Sequence, residues 1–284
     1  MLSRIRTYGS FVRFSHSVFA LPFALVGGLL AMREAGFDWS RVSWITACMV
    51  AARSAAMGFN RVVDARLDAR NPRTASRELP GGRMTAREAW LFVVVSSGVF
   101  VACAAPLGRV CLALSPVALA IVFWYSLAKR VTPYTQAFLG LAMAVAPVGG
   151  WIAAGGPVSL VPALLGVAIG TWVGGFDVLY ACQDLEYDRR EGLHSIPMRF
   201  GVSRSIAISR GLHVVTVIAL GAVGARASLG PVYAGGVAVV AALLVWEQSL
   251  VRADDLSQVK RAFDINGWVG LLYFAATAAA VYWR

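Results

Sequence analysis

Of the 284 residues, 58% are hydrophobic and only 14% are charged, against roughly 25% charged in an ordinary soluble domain. There is too little polar surface here to cover a water-soluble globule, so the bilayer must be the solvent. The formal net charge of +11 does not point to nucleic acid, because the basic residues lie between long apolar runs rather than on one soluble face.

Taken in chain order, Arg4, Arg6 and Arg13 precede an apolar run in the layout of a signal peptide. No small-residue cleavage site follows and eight further apolar runs do, so this first run reads as a spanning helix. Runs long enough to cross about 30 Å of hydrocarbon occur nine times, over 15 to 32, 42 to 63, 88 to 106, 110 to 128, 134 to 154, 160 to 183, 206 to 226, 230 to 250 and 265 to 283. Of the 26 Lys and Arg, only Arg33, Arg41, Arg109, Arg226 and Arg284 fall on odd-numbered connections or at the C-terminus. The positive-inside rule then puts the N-terminus in the cytoplasm and the C-terminus outside. Cys48, Cys103, Cys111 and Cys182 all lie within apolar runs without a Cys-x-x-Cys pair, and read as small buried hydrophobes. No soluble insert or long linker interrupts the pattern. The expectation is an all-α polytopic membrane protein of nine transmembrane helices, one membrane-embedded domain over residues 1–284.

Two stretches break the apolar pattern with acids. Asn60, Asp64 and Asp68 follow at steps of four near the end of the second run, within about 80° of one another on a helix. Arg53 shares that face. Asp177, Tyr180, Asp184 and Asp188 repeat the steps of three and four at the end of the sixth run. Both groups emerge on the expected cytoplasmic side, each followed by a loop of similar character: Asn71-Pro-Arg-Thr-Ala-Ser-Arg-Glu-Leu-Pro-Gly-Gly and Glu191-Gly-Leu-His-Ser-Ile-Pro-Met-Arg-Phe-Gly. The recurrence hints at an old duplication.

An ionisable residue in a spanning helix costs about 2.5–3.5 kcal/mol on insertion scales, so such residues face the bundle interior and usually act. Asp64, Asp68, Asp184 and Asp188 would repel one another without a cation. Hard oxygen ligands in two short helical groups suit Mg²⁺, which completes its shell with water and substrate phosphates. Arg73, Arg77, Lys129 and Arg189 are placed to neutralise a diphosphate. If the other end of that diphosphate is an allylic hydrocarbon, its departure leaves a carbocation that an apolar cavity protects from water.

Plainer readings stand beside these. A lone Asp-x-x-x-Asp is ordinarily a solvated face; two at the ends of spanning helices, with basic loops behind both, are not. Tyr125 and Lys129 serve equally as phosphate contacts or as interfacial anchors. Arg53 and Asp177, two to three turns deeper, either pair with each other or bind an acceptor. His194 is a loop histidine or a base. Trp151, Trp172, Phe176 and Phe123 read first as packing. A secondary transporter would set its charges near the midplane at broken helices rather than at helix ends on one side. A CDP-alcohol phosphotransferase would gather its acids in one stretch, whereas Asp68 and Asp184 lie far apart here.

Over essentially all nine runs, the chain resembles the UbiA-type intramembrane prenyltransferases. The likeness rests on Asn60-x-x-x-Asp64-x-x-x-Asp68, Arg73-Thr-Ala-Ser-Arg77-Glu-Leu-Pro80, Tyr125-x-x-x-Lys129, Asp177-x-x-Tyr180-Ala-x-Gln183-Asp184-x-x-x-Asp188 and Ser195-Ile-Pro-Met-Arg-Phe-Gly201. It implies Mg²⁺-dependent transfer of a prenyl chain from its diphosphate. Asn60, Asp64, Asp68, Asp184 and Asp188 would serve the metal, and Arg73, Arg77, Lys129, Tyr125 and Arg189 the diphosphate. Arg53, Asn60, Asp177, Tyr180 and His194 would meet an aromatic acid of the 4-hydroxybenzoate or hydroxynaphthoate type, in ubiquinone or menaquinone biosynthesis. Asp177, Asp64 and Asp184 would be catalytic. A non-quinone acceptor is the alternative. The implied setting is the bacterial inner membrane, with the site open to the cytoplasm, lipid around it and no nucleic acid partner. Arg61 stands where the family usually has an aspartate.

Overall fold

A computed structural model of the chain describes residues 2–12 and 21–283, with the backbone alone at 2–6 and 34–35. The chain is helical almost throughout: α1 (Leu2–Phe11), α2 (Leu21–Ala35), α3 (Trp39–Arg70), α4 (Ala86–Ala104), α5 (Arg109–Ala128), α6 (Thr135–Ala153), α7 (Leu160–Ala181), α8 (Leu185–Glu191), α9 (Ile196–Phe200), α10 (Val202–Arg226), α11 (Gly230–Leu250) and α12 (Val259–Tyr282). Among the described residues, eight helical segments are long and apolar enough to cross a bilayer. The first expected span is represented by the shorter α2; residues 15–20 of that expectation, Arg13 and Arg284 lie outside the described residues.

Local chemistry sets the boundaries. Asp38 caps α3 by accepting from the backbone of Ser40 and Arg41, Thr85 and Glu88 form a reciprocal capping box on α4, and Ser159 caps α7. The expected span 42 to 63 proves to be the middle of α3, which runs on to Arg70 and stops only at Asn71-Pro72. Good helix formers fill that extension, so Asp64 and Asp68 are carried on regular helix. The acids of the sixth run are less regular than expected. A 3-10 turn, Cys182–Asp184, separates α7 from α8 and changes the phase of the pattern. Gly192 then ends α8 in the left-handed region at φ 64°.

Each long helix packs on its chain neighbour, and α12 returns to α2, closing a ring with α2 also lying against α6. Lipid gives apolar helices no hydrophobic reason to associate, so close approach between small residues must hold them. A β-carbon on Gly27 would strike the Pro147 carbonyl, one on Gly150 the Ala24 carbonyl, and one on Gly140 the Gly170 carbonyl. These crossings bring α2 and α7 onto α6. The core between them is aromatic: Phe23 meets Trp172 with ring centroids 4.9 Å apart and Tyr273 at 6.2 Å. Large apolar side chains such as Leu91, Val94, Ile218, Val245 and Trp268 point outward instead, as a lipid-facing surface requires.

The glycine crossings are open to test. Gly140→Leu is expected to cost about 1–3 kcal/mol through overpacking and to lower the thermal midpoint of the purified protein. Gly221→Ala, whose added methyl meets nothing within 4 Å, is expected to leave that midpoint unchanged or to raise it.

Candidate active site

The C-terminal end of α3 and the α7–α8 junction are fastened together. The Tyr187 hydroxyl donates to the Leu67 carbonyl at 2.6 Å, and Arg70 pairs with Glu191 at 3.1 Å. This brings both groups of acids to one place. Asp64 and Asp68, 4% and 8% exposed, turn inward from α3. Asp64 accepts from Lys129 Nζ, from Arg130 at 2.7 Å and from the Asn60 amide at 3.3 Å. Both oxygens of Asp68 accept from Arg77, at 2.7 and 2.8 Å. Both oxygens of Asp184 accept from Arg73, at 2.9 and 2.8 Å, and the other terminal nitrogen of Arg73 donates to the Tyr180 hydroxyl at 2.6 Å. Asp188 accepts from Ser195 Oγ at 3.1 Å. The loop behind the first acids therefore supplies the cation for an acid of the second group.

Below this polar mouth lies a cavity of about 640 Å³. Arg53, Asn60, Tyr125, Asp177 and Tyr180 line its polar end, and the rest is apolar wall apart from Ser115, including Ile121, Met143 and Phe176, as far as Leu107 and Cys111. Along α5 from Tyr125 to Cys111 this is about 20 Å at 1.5 Å per residue. Arg53 and Asp177, expected either to pair or to bind an acceptor, both border that space. Arg189 and the ring of His194 are exposed, outside the cavity lining. His194 is held by its backbone, its N–H donating to the Lys129 carbonyl at 2.8 Å and its carbonyl accepting from Thr135 at 3.1 Å.

Three partners in the site escaped the sequence reading. Arg130 grips Asp64 and the Val63 carbonyl; its signal was the Lys129-Arg130 doublet, read only for its lysine. Ser195 reaches Asp188 and Tyr187 reaches α3, neither of which spacing could reveal. Arg61, the departure from the family pattern, is 4% exposed and turns toward α1, where its Nε donates to the Phe11 carbonyl at 3.4 Å.

Among the described residues, no three His, Cys, Asp or Glu side chains converge as a ready metal site. The donor set nevertheless fits Mg²⁺. Magnesium normally takes one or two carboxylates and completes its shell with water and phosphate oxygens. Asp64, Asp68, Asp184 and Asp188 offer hard oxygens in two pairs, and the side chains on three of them, Arg73, Arg77, Lys129 and Arg130, are themselves phosphate-binding groups.

Similarity to known proteins covers nearly the whole chain. The UbiA prenyltransferase family pattern matches residues 20–279. A 4-hydroxybenzoate octaprenyltransferase of Xanthomonas campestris pv. campestris (strain B100) is 36% identical over 240 residues, 84% of this chain and 77% of the relative. One from Vibrio parahaemolyticus serotype O3:K6 (strain RIMD 2210633) is 33% identical over 223 residues, 78% of this chain and 77% of the relative. Among solved structures, a UbiA homolog from Aeropyrum pernix K1 in its apo form superposes with a TM-score of 0.86 at 34% identity, covering 93% of this chain and 98% of that one. A UbiA homolog from Archaeoglobus fulgidus bound to GPP and Mg²⁺ shares the fold, with a TM-score of 0.75 at 20% identity over 97% of this chain and 99% of that one. The chain is a multi-pass membrane protein that belongs to the UbiA prenyltransferase family.

Proposed function

We propose that this protein transfers a polyprenyl chain from its diphosphate to an aromatic acid of the 4-hydroxybenzoate or hydroxynaphthoate type, with Mg²⁺, in quinone biosynthesis. The observation that carries the reading is the junction of α3 and α7–α8, where four carboxylates, three of them paired with cations, stand over a long apolar cavity with a polar end. The naming of the relatives as 4-hydroxybenzoate octaprenyltransferases supports the choice of acceptor class. The bacterial sources of those relatives, and the gathering of basic residues on the even connections, support an inner-membrane setting with the mouth toward the cytoplasm.

In this reading Asp64, Asp68, Asp184 and Asp188, with the Asn60 amide oxygen, would hold Mg²⁺, whose charge would offset that of the diphosphate. Arg73, Arg77 and Lys129 turn from the acids to the phosphate oxygens, and Tyr125 donates from the cavity side. Arg189 and His194, exposed at the same end, meet the substrates only on entry. The bond between the first prenyl carbon and the diphosphate oxygen breaks, with its electron pair leaving on oxygen. The apolar wall excludes water while the allylic cation lasts. An electron-rich ring carbon of the acceptor then forms the new C–C bond, and that ring carbon loses its proton, for which Asp177 is the nearest proposed base. Arg53 pairs with the acceptor carboxylate, while Asn60 and Tyr180 orient the ring.

Two measurements test this. With purified protein in lipid nanodiscs, a prenyl diphosphate, Mg²⁺ and 4-hydroxybenzoate, Asp64→Asn and Asp184→Asn are each expected to lose about a hundredfold or more in kcat; full turnover by either overturns the metal roles. Arg53→Met is expected to raise the KM for the aromatic acid about tenfold or more, with the KM for the prenyl diphosphate unmoved. Equal loss on both substrates would remove Arg53 from the acceptor side.

A further inference from the structure

Behind α7, on the side away from the cavity, lies a polar cluster that the reaction does not use. Ser209 and His213 on α10, Glu247 and Gln248 on α11, and Asn266 on α12 are all buried, Ser209 and Asn266 completely. The Gln248 amide donates to Ser209 Oγ at 2.7 Å and lies 3.0 Å from His213 Nδ1. Ser209 Oγ donates to the Gly175 carbonyl at 2.7 Å, and His213 Nε2 lies 3.3 Å from the Trp172 carbonyl. From the third side, Asn266 Oδ1 accepts the Trp172 indole N–H at 2.7 Å.

Ser209, His213 and Asn266 all bond one turn of α7, residues 172–175, immediately before Phe176 and Asp177, which line the cavity. Gly175 makes the contact possible, since a β-carbon there would drive into the His213 ring. Polar groups are costly inside a bilayer unless they are hydrogen-bonded, and here they bond across helices to one another and to α7. What polar contacts add over small-residue packing is direction: a hydrogen bond to a helix carbonyl fixes both rotation and axial register.

We propose that Gln248 is a positioning residue for prenyl transfer: through Ser209 and His213 it sets the rotation and depth of the α7 turn that presents Asp177, and so tunes the fit of the acceptor rather than of the diphosphate. The inference rests on the acceptor-side reading of Asp177 given above. Asp184 closes the 3-10 turn, more than two turns of helix further on, and both its oxygens are held by Arg73. A rotation of the 172–175 turn therefore reaches Asp177 first, while the diphosphate end keeps its own anchors.

The experiment is a kinetic double-mutant cycle in nanodiscs on Gln248→Met, which keeps the length and removes both donors, and Ser209→Ala, which removes only the last link. Each single variant is expected to raise the acceptor KM about tenfold, with the prenyl diphosphate KM within about twofold. The double variant is expected to be no worse than the more affected single one, because both cut the same connection. Gly175→Ala is expected to give the same acceptor-selective signature. Should Gln248→Met fail to accumulate in the membrane, Ser209→Ala carries the same expectation with almost no change in volume. Equal rises in both KM values, additive effects, or an unchanged acceptor KM would overturn the proposal. Asp177→Asn in the same assay separates the two readings. If it leaves acceptor kinetics untouched, the acceptor-side assignment itself is wrong; if it alone is impaired, only the positioning role of Gln248 falls.

Discussion

Four carboxylates at the mouth of an apolar bundle repel one another, and the architecture of that end depends on cations brought from other segments to offset the repulsion. Two unit charges 4 Å apart interact by about 4 kcal/mol at an effective dielectric constant near 20, comparable with the whole cost of placing an acid in a spanning helix. Removing one partner of a buried pair typically costs about 3–5 kcal/mol, because a charge is left without compensation. Asp64 holds the α5–α6 connection through Lys129 and Arg130, Asp68 holds the loop after α3 through Arg77, and Asp184 holds the same loop through Arg73. The loops that roof the site are thus ordered by the acids beneath them. In the proposed reaction the same cations have a second use, since a guanidinium that satisfies a carboxylate also satisfies a phosphate with the same fork of donors.

Much of this was legible in the sequence because membranes impose simple rules. The spans from 88 to 250 were recovered within about four residues, and the last one began six residues before its expected start, since length and hydropathy fix a span better than they fix where its helix begins. Asn60, Asp64 and Asp68 came out on one inward face because a regular helix carries them. The second group was harder to read. The 3-10 turn at Cys182–Asp184 leaves no residue signature, so a pattern continuous in sequence is discontinuous in phase. The helix α1 also went unseen. Its residues read as a charged flank, yet Phe11 and Val12 pack with Met84 and Ala89, and the Ser10 hydroxyl donates to buried Glu78. That burial depends on a loop far along the chain, and no local pattern reports it. Arg130, Ser195 and Tyr187 escaped for the same reason: each acts through a partner set by tertiary contact, not by spacing.

The glycines of α7 connect the packing to the site. Gly166, Gly170 and Gly174 recur at steps of four along one stripe, and each faces α6: Gly166 opposite Val148, Gly170 opposite Gly140, and Gly174 opposite the Gln136 backbone. Gly175, one position round, faces α10. Such a stripe leaves α7 tightly enclosed but gives it no side chains on those faces with which to resist sliding or turning. Smooth small-residue interfaces fix distance well and register poorly. Asp177 and Phe176 project from the remaining face into the cavity, where a fraction of an ångström decides whether a reacting ring is aligned. Directional bonds to the carbonyls of Trp172 and Gly175 supply what the glycines cannot. The buried polar residues of α10, α11 and α12 are thus the counterpart of the glycine stripe: one brings the helices close, and the other tells α7 where along that contact to stop.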